Sequence, residues 1–176
     1  MDDKIWNEIV KDILFSSWQG QVIDNRQKEP KDFTSVELVT LPEYFKPGEK
    51  IKALIGWGGI IIRSAEVNIL DLCRAYIEAI LEHTKTCDKC NYCNTGFTEM
   101  SEVFRDLINR EARDDDPEFL QTAANTIIGY SKCSIGKHGP VPVLHALKYF
   151  NEDFSRAISG ERQVAASRYY SKLTAP

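Results

Sequence analysis

The chain has 176 residues, 22 Lys and Arg against 26 Asp and Glu, a formal net charge of −4 and 43% hydrophobic content. That length suits one compact domain with room for an extension, and such a chain can bury about 70% of its unfolded surface without disulfide staples; the acidic balance lacks the basic stripe of a nucleic-acid binder. The longest apolar run, from Ala53 to Ile62, is too short to span a bilayer, and Met1-Asp2-Asp3 is acidic where a secretory signal is basic, so a cytoplasmic protein without direct membrane insertion is expected.

In chain order, Ile5, Trp6, Ile9, Val10, Ile13 and Leu14 recur at spacings of one and three, which predicts an amphipathic helix over 3–15. From Gln19 to Lys50 the chain is polar and broken by prolines, and only Val36-Glu37-Leu38-Val39 reads as a strand. Two short β runs, Lys50–Ile55 and Ile60–Ile62, flank the turn Gly56-Trp57-Gly58-Gly59. Beyond residue 64 the pattern is helical. Val67, Ile69, Leu70, Leu72, Cys73, Tyr76, Ile77, Ile80 and Leu81 form a wide apolar face, and Phe97, Met100, Val103, Phe104, Leu107 and Ile108 a second. Asp116-Pro117 opens a third helix, with Gly129 as its stop. Pro142 opens a last helix carrying Leu144, Leu147, Phe150, Phe154 and Ile158. The expected fold is mainly α: a four-helix bundle preceded by a helix and a small β element. Residues 1–63 would form the N-terminal part, 64–160 the helical domain and 161–176 a tail.

Charge is concentrated between residues 99 and 118, where eight Asp and Glu face three Arg. Asp114-Asp115-Asp116 reads as a solvated turn between helices, since adjacent carboxylates do not by themselves converge on one ion. Five cysteines are an odd set for a disulfide framework. Four of them, Cys87, Cys90, Cys93 and Cys133, follow C-x2-C-x2-C with a distant fourth, and in a reducing compartment such clustered thiols point to a metal. A 4Fe–4S cube needs four thiolates from different directions. A tight loop supplies three corners, and a cysteine distant in sequence supplies the last. Cys133 suits that part, because Gly136 and Gly139 let backbone approach closely and offer N–H groups to sulfur. Zinc is the competing reading, although structural zinc sites favour two cysteine pairs and there is no second pair here.

Residues 54–156 resemble the C-terminal part of the NADH- and flavin-binding subunit of respiratory complex I and of related NAD-linked hydrogenases and formate dehydrogenases. Gly56, Gly58 and Gly59 match that family's glycine turn, Cys87, Lys89, Cys90, Cys93 and Gly96 its cysteine loop, and Cys133, Gly136 and Pro142 its closing segment; His145 to Phe150 resemble its next helix. The resemblance implies one 4Fe–4S cluster bound by Cys87, Cys90, Cys93 and Cys133, electrons taken from a nearby flavin, and a flavoprotein or iron–sulfur oxidoreductase subunit as partner. Residues 1–63 would then be the remnant of a preceding β-grasp domain. Tyr92, Asn94 and Asp88 depart from the family's loop, which spares the ligands but changes the cluster's surroundings. No G-x-G-x-x-G or phosphate loop is present, so the chain alone is expected neither to bind nor to oxidise NADH.

The remaining candidates have plainer readings. Cys73 lies on an apolar helix face as an inert buried thiol. His138, five residues past Cys133, reads as a solvent-facing loop residue or as one that tunes or replaces a cluster ligand, and His83 and His145 are helix residues. Trp57 is either core or a partner contact, and Trp6 and the tail's Tyr169-Tyr170 are candidate interface aromatics. Two function classes result: an electron-transfer subunit, or a zinc- or cluster-stabilised helical scaffold.

Overall fold

The computed structural model describes residues 9–10, 12–37, 51–87 and 90–160, which fall into two compact units. The first takes the described residues up to Leu54 together with Gly58–Val67, and the second takes Ile55–Trp57 and residues 68–160.

The first unit is built on β-structure. Strands β1 (Ile9–Val10) and β4 (Val36–Glu37) pair antiparallel. Strands β2 (Phe15–Trp18), β3 (Gln21–Asp24), β5 (Ala53–Gly56) and β6 (Gly59–Ile62) form a sheet of order β3-β2-β6-β5. The expected helix over 3–15 is thus corrected wherever it can be read: Ile9–Val10 is a strand, and Phe15 opens another. Residues 3–8 lie outside the described residues, as do Leu38 and Val39. The reason is physical. Ile13, Leu14 and Phe15 are buried in succession, which a one-faced helix cannot achieve, and β2 turns straight into β3 through Gln19 and Gly20, at φ 50° and 84°. Two successive positive φ values make the tight turn whose twist matches paired strands. Ile13, Ile23 and Ile61 form the core of this unit, with Trp18, Ile51 and Leu54 against it.

The polar stretch after β3 is pinned by one buried side chain. Asn25 Nδ2 donates to the carbonyls of Ile13 (2.9 Å) and Thr34 (2.8 Å), while its Oδ1 accepts from Thr34 N–H (2.9 Å). The glycine turn brings β6 against β2. At Gly59, with φ 130°, an added Cβ would overlap the Ser17 carbonyl oxygen, so no other residue fits.

The second unit is helical: α1 (Ile69–Thr84), α2 (Tyr92–Asn109), α3 (Asp116–Tyr130), α4 (Ser134–His138), α5 (Val141–Tyr149) and α6 (Asn151–Ile158). Asn68 caps α1, its side chain accepting from the N–H groups of Leu70 and Asp71. Arg110, at φ 64°, closes α2 in the left-handed conformation. The core joins Ile77 and Ile80 of α1, Phe97, Met100, Phe104 and Leu107 of α2, Leu120, Ala124 and Ile127 of α3, and Val143 and Ala146 of α5. An edge-to-face pair, Phe104 and Phe154, ties α2 to α6 at 6.0 Å between centroids. The helical majority is as expected, but the details differ. The single last helix is two, broken at Phe150, and α3 runs through Gly129 to Tyr130 instead of stopping there. Asp114 and Asp115 are solvated, whereas Asp116 is buried and accepts from Arg113 N–H at 2.8 Å, fastening the α2–α3 turn.

Candidate metal centre

The four cysteines arrive from three places in the second unit. Cys87 lies just past α1, exposed, its N–H bonded to the Thr84 carbonyl at 3.0 Å. Asp88 and Lys89 lie outside the described residues. Cys90 is half-buried, and Cys93 is buried in the first turn of α2. That helix begins five residues earlier than its apolar pattern from Phe97 suggests, so the cysteine loop is partly helical. Cys133 is half-buried, extended at the N-cap of α4, where the sequence suggests an irregular loop.

Three of the four interact. The Lys132 backbone N–H holds the Cys90 thiol below its ordinary range; the N–H groups of Tyr92 and Cys93 and the Cys93 thiol also outweigh the opposing cost of burial. Burial pushes the Cys93 thiol up, opposed by the Ser131 hydroxyl and reinforced by its neighbours Cys133 and Cys90. Cys90 and Cys93, at the start of α2, therefore meet the segment from Ser131 to Cys133 that joins α3 to α4. Among the described residues no three His, Cys, Asp or Glu side chains gather as they would around one metal ion. A cube instead distributes its thiolates over separate corners.

The sequence pattern does not single out Ser131. Its Oγ lies 3.3 Å from Cys93 Sγ in a buried contact, and its N–H caps α3 on the Ile127 carbonyl at 3.0 Å. No periodicity marks this partnership, which spans 38 residues. The one local signal is a hydroxyl residue two positions before Cys133. The contact depends on Gly136, where an added Cβ would overlap the Ser131 side chain and stand 2.7 Å from Cys93 Sγ. A thiol set backed by N–H and O–H donors, in a cradle with no room for another side chain, suits a sulfur-ligated cluster.

The other candidates stand apart from this group. Cys73 is fully buried on α1, and burial alone pushes its thiol up. His138 is exposed at the end of α4, its ring 6.3 Å from that of half-exposed Trp57. His83 is exposed in the last turn of α1, and His145 meets Tyr149 edge-on at 6.0 Å. Trp6, Tyr169 and Tyr170 lie outside the described residues.

Residues 72–157 match the model of the NADH-ubiquinone oxidoreductase-F iron-sulfur binding region, a span that contains all four clustered cysteines and the Ser131 contact. This region belongs to that family. The cofactor of the F-type region is a 4Fe–4S cluster, which supports an electron-transfer role. Similarity extends beyond the family match. The chain is 30% identical over 166 residues to a protein named NADPH-Fe(3+) oxidoreductase subunit beta from Geobacter sulfurreducens, covering 93% of this chain and 24% of that protein. It is 27% identical over 159 residues to NADP(+)-dependent formate dehydrogenase subunit beta from Moorella thermoacetica, covering 86% and 21%. It is 25% identical over 111 residues to the F-type subunit of NADH-quinone oxidoreductase from Streptomyces coelicolor, covering 60% and 25%. The chain spans about a quarter of the length of these curated relatives. Among the described residues no helix is long and apolar enough to cross a membrane.

Proposed function

We propose that Cys87, Cys90, Cys93 and Cys133 hold a single 4Fe–4S cluster, which relays electrons between a flavin- or iron–sulfur-containing partner and another redox centre of a multi-subunit oxidoreductase. The observation that carries this reading is the meeting of Cys90 and Cys93 with the Ser131–Cys133 segment, inside a region that belongs to a 4Fe–4S family. Cys87 completes the set because it precedes Cys90 by the same interval that separates Cys90 from Cys93, and such spacing wraps one cube. The cluster supplies one-electron chemistry. The chain's part is to fix four thiolates and aim donors at their sulfurs. In this reading α1, α2, α3 and the α5–α6 pair act as a four-helix cage, and the chain divides at residues 1–63, 64–160 and 161–176. The oxidoreductase names of the relatives support a partner subunit as source or acceptor of the electrons.

Anaerobic reconstitution with ferrous iron and sulfide tests the assignment. We expect about four iron and four sulfide per chain, a brown protein, and a paramagnetic signal on reduction with dithionite. Cys87→Ser, Cys90→Ser, Cys93→Ser and Cys133→Ser should each lose or degrade the cluster, since serine is a harder ligand than thiolate. A full cluster in the Cys133 variant overturns the choice of fourth ligand, and stoichiometric zinc without iron overturns the electron-transfer role.

A further inference from the structure

We propose that Ser131 is a positioning residue that sets the reduction potential of the cluster, its hydroxyl donating a hydrogen bond to the sulfur of Cys93; this rests on the cluster assignment above. In the thiol form of the protein, either Cys93 Sγ or Ser131 Oγ can be the donor across their 3.3 Å contact. Once Cys93 binds iron it is a thiolate with no proton, so only the hydroxyl can donate. The geometry is already set. Ser131 is 5% exposed, Cys93 is 4% exposed, and the Ser131 backbone is fixed as the cap of α3. Gly136 presses on the same pair from α4, where any Cβ would displace the hydroxyl or crowd the sulfur.

The consequence follows from charge. Adding one electron to the cluster makes its sulfurs more negative, and a donor aimed at one of them stabilises the reduced state more than the oxidised state. Hydrogen bonds to charged acceptors are stronger than neutral ones, and burial strengthens them further. Hydrogen bonding to sulfur is also one of the factors that set iron–sulfur potentials. The neighbouring Lys132 N–H, directed at Cys90, belongs to the backbone and is not removed by ordinary substitution. Ser131 is therefore the adjustable member of the pair.

The test is the midpoint potential of the full reconstituted chain, read by redox titration, with iron and sulfide content measured on every sample. Ser131→Ala and Ser131→Val remove the donor, while Ser131→Thr keeps it at nearly the size of valine. We expect Ala and Val to lower the reduction equilibrium constant about tenfold, which is about 59 mV for one electron, and Thr to restore most of the difference. An unchanged potential in fully loaded Ala or Val protein overturns the proposal, as does a Thr variant shifted as far as Val. Should Val fail to load, the Ala and Thr proteins decide by the same criteria. A parent chain that takes up no iron and sulfide refutes the cluster assignment instead, which separates the two failures.

Discussion

Replacing Gly136 with alanine probes the cradle behind Cys93 through stability alone. The new methyl overlaps both the Cβ and the Oγ of Ser131 and stands 2.7 Å from Cys93 Sγ. Two effects then compete. Inside a helix, alanine is favoured over glycine by up to about 1 kcal/mol, whereas forcing atoms into a filled site costs about 1–3 kcal/mol. Rotating the hydroxyl does not relieve the overlap, because the Ser131 Cβ is attached to backbone that caps α3. Backbone must move, so crowding dominates, and the net loss should be about 1–2 kcal/mol. Gly129→Ala serves as the comparison. It lies inside α3, its φ is not positive, and nothing stands within 4 Å of an added Cβ, so it should gain about 0.5–1 kcal/mol. Urea titrations of the cluster-free chain, followed by circular dichroism, measure both. A Gly136→Ala protein as stable as the parent would refute the close approach of α4 to Ser131 and Cys93.

Cys73→Ser should retain full iron and sulfide yet lose about 1–3 kcal/mol in the same titrations, because it places a hydroxyl in a fully buried apolar site; loss of iron would make Cys73 part of the centre. The reconstituted chain should bleach with dithionite but not with NADH or NADPH, since hydride chemistry belongs to a flavin or nicotinamide cofactor and the cube moves single electrons; nicotinamide oxidation by the chain alone contradicts this. At Asp24, burial pushes the carboxyl up, but the hydrogen bonds and charge of Arg26 prevail and leave it below the ordinary range. A depressed carboxyl lends stability that is present above its unfolded value and lost as pH falls through its folded one. Thermal melts from about pH 6 to about pH 3 should therefore show an acid loss that Arg26→Met reduces; identical slopes would remove this pair from the account.

What was legible in the sequence followed the range of the interaction. The long helices could be read because Ile69, Leu70, Cys73, Ile77 and Ile80, or Phe97, Met100, Phe104 and Leu107, repeat the helical period on their buried faces. The β5–β6 pair could be read because its glycine turn lies between two apolar runs. The N-terminal hairpin could not. Its strand β2 buries Phe15, Ser16 and Ser17 alike, so the alternation that marks a half-exposed strand is missing, while Ile9, Val10, Ile13 and Leu14 mimic helical spacing. The break at Phe150 interrupts an apolar pattern that runs through it, and α4, though closed by Gly139-Pro140, is too short at five residues to show a helical period. At the candidate centre, the cysteine spacing was plain, but the Ser131 hydroxyl was not, since its partner lies 38 residues away.

Cys93 at the start of α2 and Cys133 just past the end of α3 bracket the α2–α3 hairpin, forty residues apart in sequence. On the proposed ligation the cube is also a fastener across that hairpin. By the relation used for disulfides, a tie of this span removes on the order of 4 kcal/mol of loop freedom from the unfolded chain. Oxygen damage would then do more than interrupt electron flow. It would also remove this tie, so the chain should unfold more readily in air than with its inorganic core intact.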